Sequence, residues 1–180
     1  SPNYLPTKPF LFTIGTIAEK KNFHVLPALL KNNDYILVVA GITQNQEYKK
    51  KILQEAKKHN VENRVVFVNA VSENDKHWYY KNCEAFVFPS LAEGFGLPVV
   101  EAMYFGKPVF LSSATSLPEI GGDAAFYFSS FDAEQMQETF LAGMQQYQQN
   151  NMVEKIKARA GKFSWSNAAE EYLKIYRSFY

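Results

Sequence analysis

The apolar positions of this chain fall in short solid runs rather than in strict alternation, and stretches of helical period separate them. Phe10 to Ile14 is the first run and closes at Gly15. A run of this length ending in glycine predicts a strand buried on both faces, followed by a sharp exit. Asn22 suits an N-cap, and Phe23, Leu26, Leu29 and Leu30 recur after it at helical spacing. Tyr35 to Ala40, closed by Gly41, reads as a second strand, and Glu47 to His59 as a polar helix with Ile52, Leu53 and Ala56 on one side. Val65 to Val68 reads as a third strand, Asn69 to Ser72 as a loop, Glu73 to Asn82 as a helix and Ala85 to Phe88 as a fourth strand. Pro98 to Phe105 is a helix stopped by Gly106, with strands at Pro108 to Leu111 and Ala124 to Phe128 after it. Helices at Ala133 to Tyr147 and Met152 to Lys162 follow, and Ser164 caps a last one that runs from Trp165 to the C-terminus.

Strands that are apolar throughout belong in a parallel sheet covered on both faces. Alternation with helices makes the fold class α/β: a single Rossmann-like, doubly wound parallel sheet with C-terminal helices, whose ligands bind beyond the carboxyl ends of the strands. Residues 1–9, with Pro2, Pro6 and Pro9, read as an extended linker and residues 10–180 as one domain. A start at Ser1 rather than Met reads as a fragment or a processed product.

Composition narrows the picture. At 180 residues and 47% hydrophobic the chain can bury one sizeable core. A formal net charge of +1 supplies no field to recruit nucleic acid, so no nucleic-acid partner is expected. The lone cysteine, Cys83, excludes an intramolecular disulfide and a thiolate metal cluster. No apolar run approaches the roughly 20 residues of a membrane span. These features lead us to expect a cytoplasmic domain without a transmembrane segment, held in the longer protein at most peripherally at the inner membrane.

The chemistry concentrates in two loops at the carboxyl side of the expected sheet. The stretch from Pro89 to Met103 places Glu93 and Glu101 eight residues apart around Gly94 and Gly96, between a strand and a helix start. A glycine turn into a helix N-terminus is a cradle for phosphate, because backbone N–H groups and the helix dipole both favour an anion there. Carboxylates would repel that anion. Their expected work is to accept hydrogen bonds from hydroxyls, at roughly 1.5–3 kcal/mol each. With Pro98 as first helical residue, Glu101 falls in the first turn, where it can accept from two adjacent hydroxyls of a ribose. The other loop, Gly15 to Asn22, offers close backbone approach at Gly15, a hydroxyl at Thr16, and Lys20 and Lys21 for a diphosphate.

These motifs resemble the C-terminal, donor-binding half of a GT-B retaining glycosyltransferase of family four. The resemblance rests on the E-x7-E signature from Glu93 to Glu101, Pro89-Ser90 before it, and Gly106-Lys107-Pro108-Val109 after it. Ser116-Leu117-Pro118-Glu119, Gly121-Gly122-Asp123-Ala124-Ala125, the Gly15 to Asn22 loop and Phe163-Ser164-Trp165 extend it over nearly the whole chain. The resemblance implies that Glu101 binds ribose hydroxyls and Glu93 the donor sugar. It implies that the backbone of Gly94, Phe95, Gly96 and Leu97 holds sugar and phosphate. It implies that Lys21 is the family's diphosphate lysine and, with Glu93, catalytic, that Lys20 shares the diphosphate role, and that Val71 in the Asn69 to Ser72 loop lies by the base. Many members carry arginine after the first glycine; here it is Thr16, which leaves diphosphate neutralisation to the lysines. The Gly-Thr-Ile form resembles a subgroup rich in mannosyltransferases.

The implied substrate is a GDP- or UDP-linked hexose, with mannose favoured. No cofactor and no metal are expected, and a carbohydrate or lipid-linked acceptor would be bound by a preceding domain. Rival readings are a non-catalytic nucleotide-sugar-binding module and a GT-B sugar-nucleotide epimerase. A dinucleotide-binding oxidoreductase would need G-x-G-x-x-G where this chain has Gly15-Thr16-Ile17-Ala18-Glu19-Lys20. Trp78, Tyr79, Tyr80 and Cys83 read as packing residues, and Glu119 as structural.

Overall fold

A computed structural model describes residues 2–179. Six parallel strands form one sheet: β1 (Phe10–Ile14), β2 (Ile36–Ala40), β3 (Val65–Phe67), β4 (Ala85–Phe88), β5 (Val109–Ser112) and β6 (Phe126–Phe128), in the spatial order β3-β2-β1-β4-β5-β6. The strands are solidly apolar because helices cover both faces. All of β2, β4 and β5 is buried. The α-helices are α1 (Gln46–Lys58), α2 (Glu73–Asn82), α3 (Leu97–Tyr104), α4 (Leu117–Gly121), α5 (Ala133–Gln149), α6 (Val153–Gly161) and α7 (Trp165–Arg177). Aromatic rings fill the core: Phe12 packs on Tyr79, Tyr80 and Phe86, and Phe110 stacks on Phe126 and packs against Phe140. Residues 2–9 form no helix or strand, and the Tyr79 hydroxyl donates to the Tyr4 carbonyl at 2.8 Å.

Strand order reverses between β1 and β4, where Leu11 pairs with Ala85 and Phe12 with Phe86. Crossovers therefore leave β1 and β4 in opposite directions, and a crevice opens between the loops at their carboxyl ends. Those loops are Gly15 to Asn22 and Pro89 to Gly96, the two that carry the candidate chemistry. At the edge of the crevice the backbones of Gly15 and Gly41 almost touch. A Cβ on Gly41, at φ +135, would overlap the Gly15 carbonyl oxygen.

The structure revises several expectations. The segment after Asn22 is a 3-10 helix, Phe23–Leu30, with Pro27 inside it; proline lacks the N–H that an α-helix would use there. Asn22 stands at the cap position in left-handed backbone (φ 57) without a capping side-chain bond. The sixth strand begins at Phe126, because Gly122–Ala124 is a 3-10 turn. The five-residue α4 is too short to carry a period, and was not expected. Ser164 does cap α7, accepting from the Asn167 N–H at 3.1 Å.

Candidate functional site at the carboxyl edge of the sheet

Lys21 lies in a 3-10 turn, Glu19–Lys21, which bends the first loop back over the sheet. Its aliphatic stem packs against Gly15, where an added Cβ would sit 3.1 Å from Cε. Its ammonium stands 4.9 Å above the Phe88 ring and donates to Glu93 Oε1 at 2.5 Å. Both side chains of this pair are nearly buried, at 11% and 13% exposed. The switch point thus joins the expected diphosphate lysine directly to the expected sugar-binding glutamate. Lys20 projects into solvent while its carbonyl accepts from the Leu91 N–H at 2.8 Å and the Ser90 hydroxyl at 3.2 Å.

The glycine turn after β4 is held from below by the loop after β5. Ser112 donates its hydroxyl to the Ser90 carbonyl. The Glu93 N–H donates to Thr115 Oγ1 at 3.0 Å, and the Ser116 hydroxyl donates to the carbonyls of Phe95 (2.9 Å) and Glu93 (3.3 Å). Gly94 faces open space, with no atom within 4 Å of the point where a Cβ would stand. Gly96 is the N-cap of α3 at φ 102, and no side chain caps that terminus. Left-handed backbone at that point lets the chain turn straight into the helix.

Glu101 lies outside the first turn in which its sequence places it. Leu97, not Pro98, is the first residue of α3, so Glu101 is its fifth residue and lies past the first turn. Neighbouring side chains rather than the dipole hold its carboxylate. Lys76 Nζ donates to Oε1 at 2.8 Å and the Tyr80 hydroxyl to Oε2 at 2.8 Å. Burial, followed by the Glu101 charge, pushes the Tyr80 hydroxyl well above the ordinary tyrosine range. Burial pulls Lys76 down, but its bonds to Glu101 and Glu73 outweigh that and raise its pKa above an ordinary lysine's. A groove of about 460 Å³ adjoins Glu101, lined by His77, Leu97, Val100, Tyr104 and Phe105.

The structure therefore joins Gly15, Lys21 and Glu93 at the crevice between β1 and β4, with Gly94 and Gly96 in the turn beside them and Lys20 reaching it by its carbonyl. Thr16 lies in the first loop, whereas the Phe95 ring turns away to pack on Phe163 and Leu97 lines the groove next to Glu101. Glu101 stands one helical turn further along α3. Val71, half-buried in the loop after β3, packs against the core from the β2 side. Sequence reasoning missed Lys76, Ser90, Ser112, Thr115 and Ser116, and assigned Tyr80 to packing alone. Tyr80 is indeed wholly buried, as are Tyr79 and Cys83, whose thiol burial pushes up to about 12. Among the described residues, Thr13 Oγ1, Asn22 Nδ2 and Thr43 Oγ1 are buried without a hydrogen-bond partner, all on β1 or on the loops leaving β1 and β2. Such atoms cost roughly 1–3 kcal/mol each, so the uncompensated polarity of the domain collects at its carboxyl edge. Among the described residues no group of three or more His, Cys, Asp and Glu side chains is placed to hold a metal ion, and no helix is long and apolar enough to cross a membrane.

Sheet order and loops together define a doubly wound, Rossmann-like α/β domain with its polar cluster at the switch point. The chain belongs to the glycosyl transferases group 1 family, whose model matches residues 2–161. It is 30% identical over 172 residues to O-antigen chain mannosyltransferase B of Escherichia coli, covering 91% of this chain and 44% of that protein. It is 32% identical over 172 residues to the serotype-specific mannosyltransferase WbdA of Escherichia coli, covering 89% of this chain and 20% of the relative. The chain thus spans less than half the length of these relatives. In fold it is similar to Anabaena HepE, solved in complex with UDP and glucose, at a TM-score of 0.77 and 19% identity over 94% of this chain and 48% of that one.

Proposed function

We propose that this domain is the C-terminal, donor-binding half of a GT-B retaining glycosyltransferase of family four. It holds a nucleotide-diphospho-sugar whose hexose passes to a saccharide or lipid-linked acceptor on a second domain. The Lys21–Glu93 pair at the switch point carries this reading. A nearly buried ammonium paired with a carboxylate, in the turn that leads into an uncapped helix N-terminus, supports it: the ammonium would meet the diphosphate charge that grows as the sugar leaves, and the carboxylate the sugar hydroxyls. In this reading the Lys20 side chain turns in from solvent as a second cation, Thr16 adds a hydroxyl, and Val71 an apolar edge for the base. In this reading the diphosphate is neutralised by lysines and backbone amides, with no divalent ion and no cofactor required. The domain alone binds donor but transfers little, because the acceptor half supplies the positioning.

Relatives named mannosyltransferases support mannose as the hexose, and GDP-mannose is the donor proposed with the Gly-Thr-Ile form of the first loop. A UDP-linked glucose is the second reading, favoured by the UDP and glucose held by HepE. Titration calorimetry with GDP, UDP, ADP and their hexose conjugates tests the site. Saturable binding of one nucleotide series, with the sugar conjugate at least as tight, is the expected result. Binding of none of them overturns the assignment.

A further inference from the structure

The environment of Glu101 says more than that a carboxylate is present. Glu73, Lys76 and Tyr80 occupy one stripe of α2, at the three- and four-residue spacings that align side chains on a helix. Lys76 is tied to both acids, to Glu73 Oε2 at 2.8 Å and to Glu101 Oε1 at 2.8 Å. Tyr80 is 0% exposed and packs its ring against Phe12, Phe86 and Phe105, so its hydroxyl has a fixed direction and reaches Glu101 Oε2 at 2.8 Å. Each carboxylate oxygen has about two acceptor sites. One site on each oxygen is thus filled by a donor from α2. The Glu101 side chain remains 34% exposed, so its other edge faces outward. A carboxylate held from behind on both oxygens, with its front edge open, is shaped to accept two hydroxyl donors side by side.

We propose that Lys76 and Tyr80 are positioning residues that clamp Glu101 in the rotamer and plane needed to accept both hydroxyls of a ribose vicinal diol, so that the α2–α3 contact sets the preference for ribonucleotide over deoxyribonucleotide donors. This rests on the donor-site reading above and adds to it the means of sugar discrimination on the nucleotide side. Lys76 supplies charge and Tyr80 supplies direction. Without the Tyr80 hydroxyl the carboxylate can rotate about its last bond, and the paired acceptors no longer match the diol. Loss of Lys76 frees Oε1 and leaves Glu73 and Glu101 without their shared counter-charge.

The test is calorimetric titration of the chain with GDP and 2′-deoxy-GDP, and with UDP and 2′-deoxy-UDP. Tyr80→Phe, Lys76→Met and Glu101→Gln are titrated in parallel. Tyr80→Phe removes one oxygen and keeps the ring packing, and an unchanged circular dichroism spectrum and melting profile show that the fold is kept. The parent chain is expected to prefer the ribonucleotide. Tyr80→Phe is expected to lower ribonucleotide affinity about tenfold, on the scale of one hydrogen bond to a charged group, while the deoxy form stays within about twofold. Lys76→Met is expected to shrink the same preference. A folded Tyr80→Phe that keeps the full ribose preference overturns the clamp and leaves the donor site standing. Absence of nucleotide binding by the parent chain overturns the donor-site reading itself. Equal loss for ribo- and deoxyribonucleotides shows that Tyr80 matters only for general structure, and also overturns the clamp.

Discussion

Lys21 and Glu93 stand 72 residues apart in the chain and 2.5 Å apart in space. The reversal of strand order between β1 and β4 is what brings them together. Each shields the other from the cost of burial, so removing one leaves a charge with neither water nor partner. Breaking such a pair costs roughly 3 kcal/mol. Lys21→Met is expected to lower unfolding stability in urea by about that amount. Lys21→Met with Glu93→Gln should cost less than the two single changes summed. Strict additivity in the cycle would show that the pair is not coupled.

The two glutamates are expected to fail differently. Glu101→Ala should weaken binding of the bare nucleotide, by roughly tenfold or more for the loss of charged hydrogen bonds. Glu93→Ala should chiefly reduce discrimination among sugar conjugates of that nucleotide. A competition titration with one nucleotide and several of its hexose conjugates separates the two effects. Unchanged nucleotide affinity in Glu101→Ala would remove it from the ribose site.

Gly41→Ala is expected to damage the first loop from a distance. The added methyl would overlap the Gly15 carbonyl oxygen, and the φ of +135 strains any other residue. The Gly15 turn cannot give way without moving Lys21, whose stem lies against it. The expected result is a loss of more than about 1 kcal/mol in stability together with weaker nucleotide binding. Thermal melts and titration on one preparation check both. An unaltered melting temperature would show that the two turns do not meet as described.

His24, two residues beyond the first crevice loop, gives the domain a pH response. Burial first, and then the charge of Lys51, lowers its pKa below the ordinary 6.5. Its Nδ1 lies 3.2 Å from the Tyr48 hydroxyl, itself pushed up to about 12 by burial. Well above pH 6.5 both folded and unfolded chains carry the ring uncharged, and the group contributes no slope. As pH falls through 6.5 the unfolded chain takes up a proton that the folded one refuses. Stability therefore drops until the lowered folded pKa is passed, and then levels. Urea midpoints between about pH 7.5 and 5.5 should fall less for His24→Gln than for the parent chain. Parallel curves would mean that the ring is not hindered from protonating.

Most of the sheet was legible because solid apolar runs have few other uses in a chain with helices between them. The expected ranges for β1, β4 and α2 match those observed. What failed was decided by proline and by length. Pro27 converts the segment after Asn22 into a 3-10 helix, and Leu117–Gly121 is too short to show a period. A shift of one residue at the start of α3 carried Glu101 out of the first turn. The two glycine loops and their acids were readable from local motif. Their partners were not: Lys76, Tyr80 and Ser116 meet them only through the packing of α2 on α3 and of the β5 loop under the β4 loop. Lys21 and Glu93 were each expected to await a ligand, and only the crossover connection makes them each other's neighbour.

Ser90 links the loops that leave β1, β4 and β5. Its hydroxyl and the next N–H hold the Lys20 carbonyl, and its own carbonyl takes the Ser112 hydroxyl. Consequently no one of these loops can swing out without breaking bonds in another. The carboxyl edge is thus a single cooperative opening unit, and the amides of Leu91 and Glu93 will exchange their hydrogens with solvent in step. A molecule that settles on any one of the three loops is expected to slow exchange at both amides.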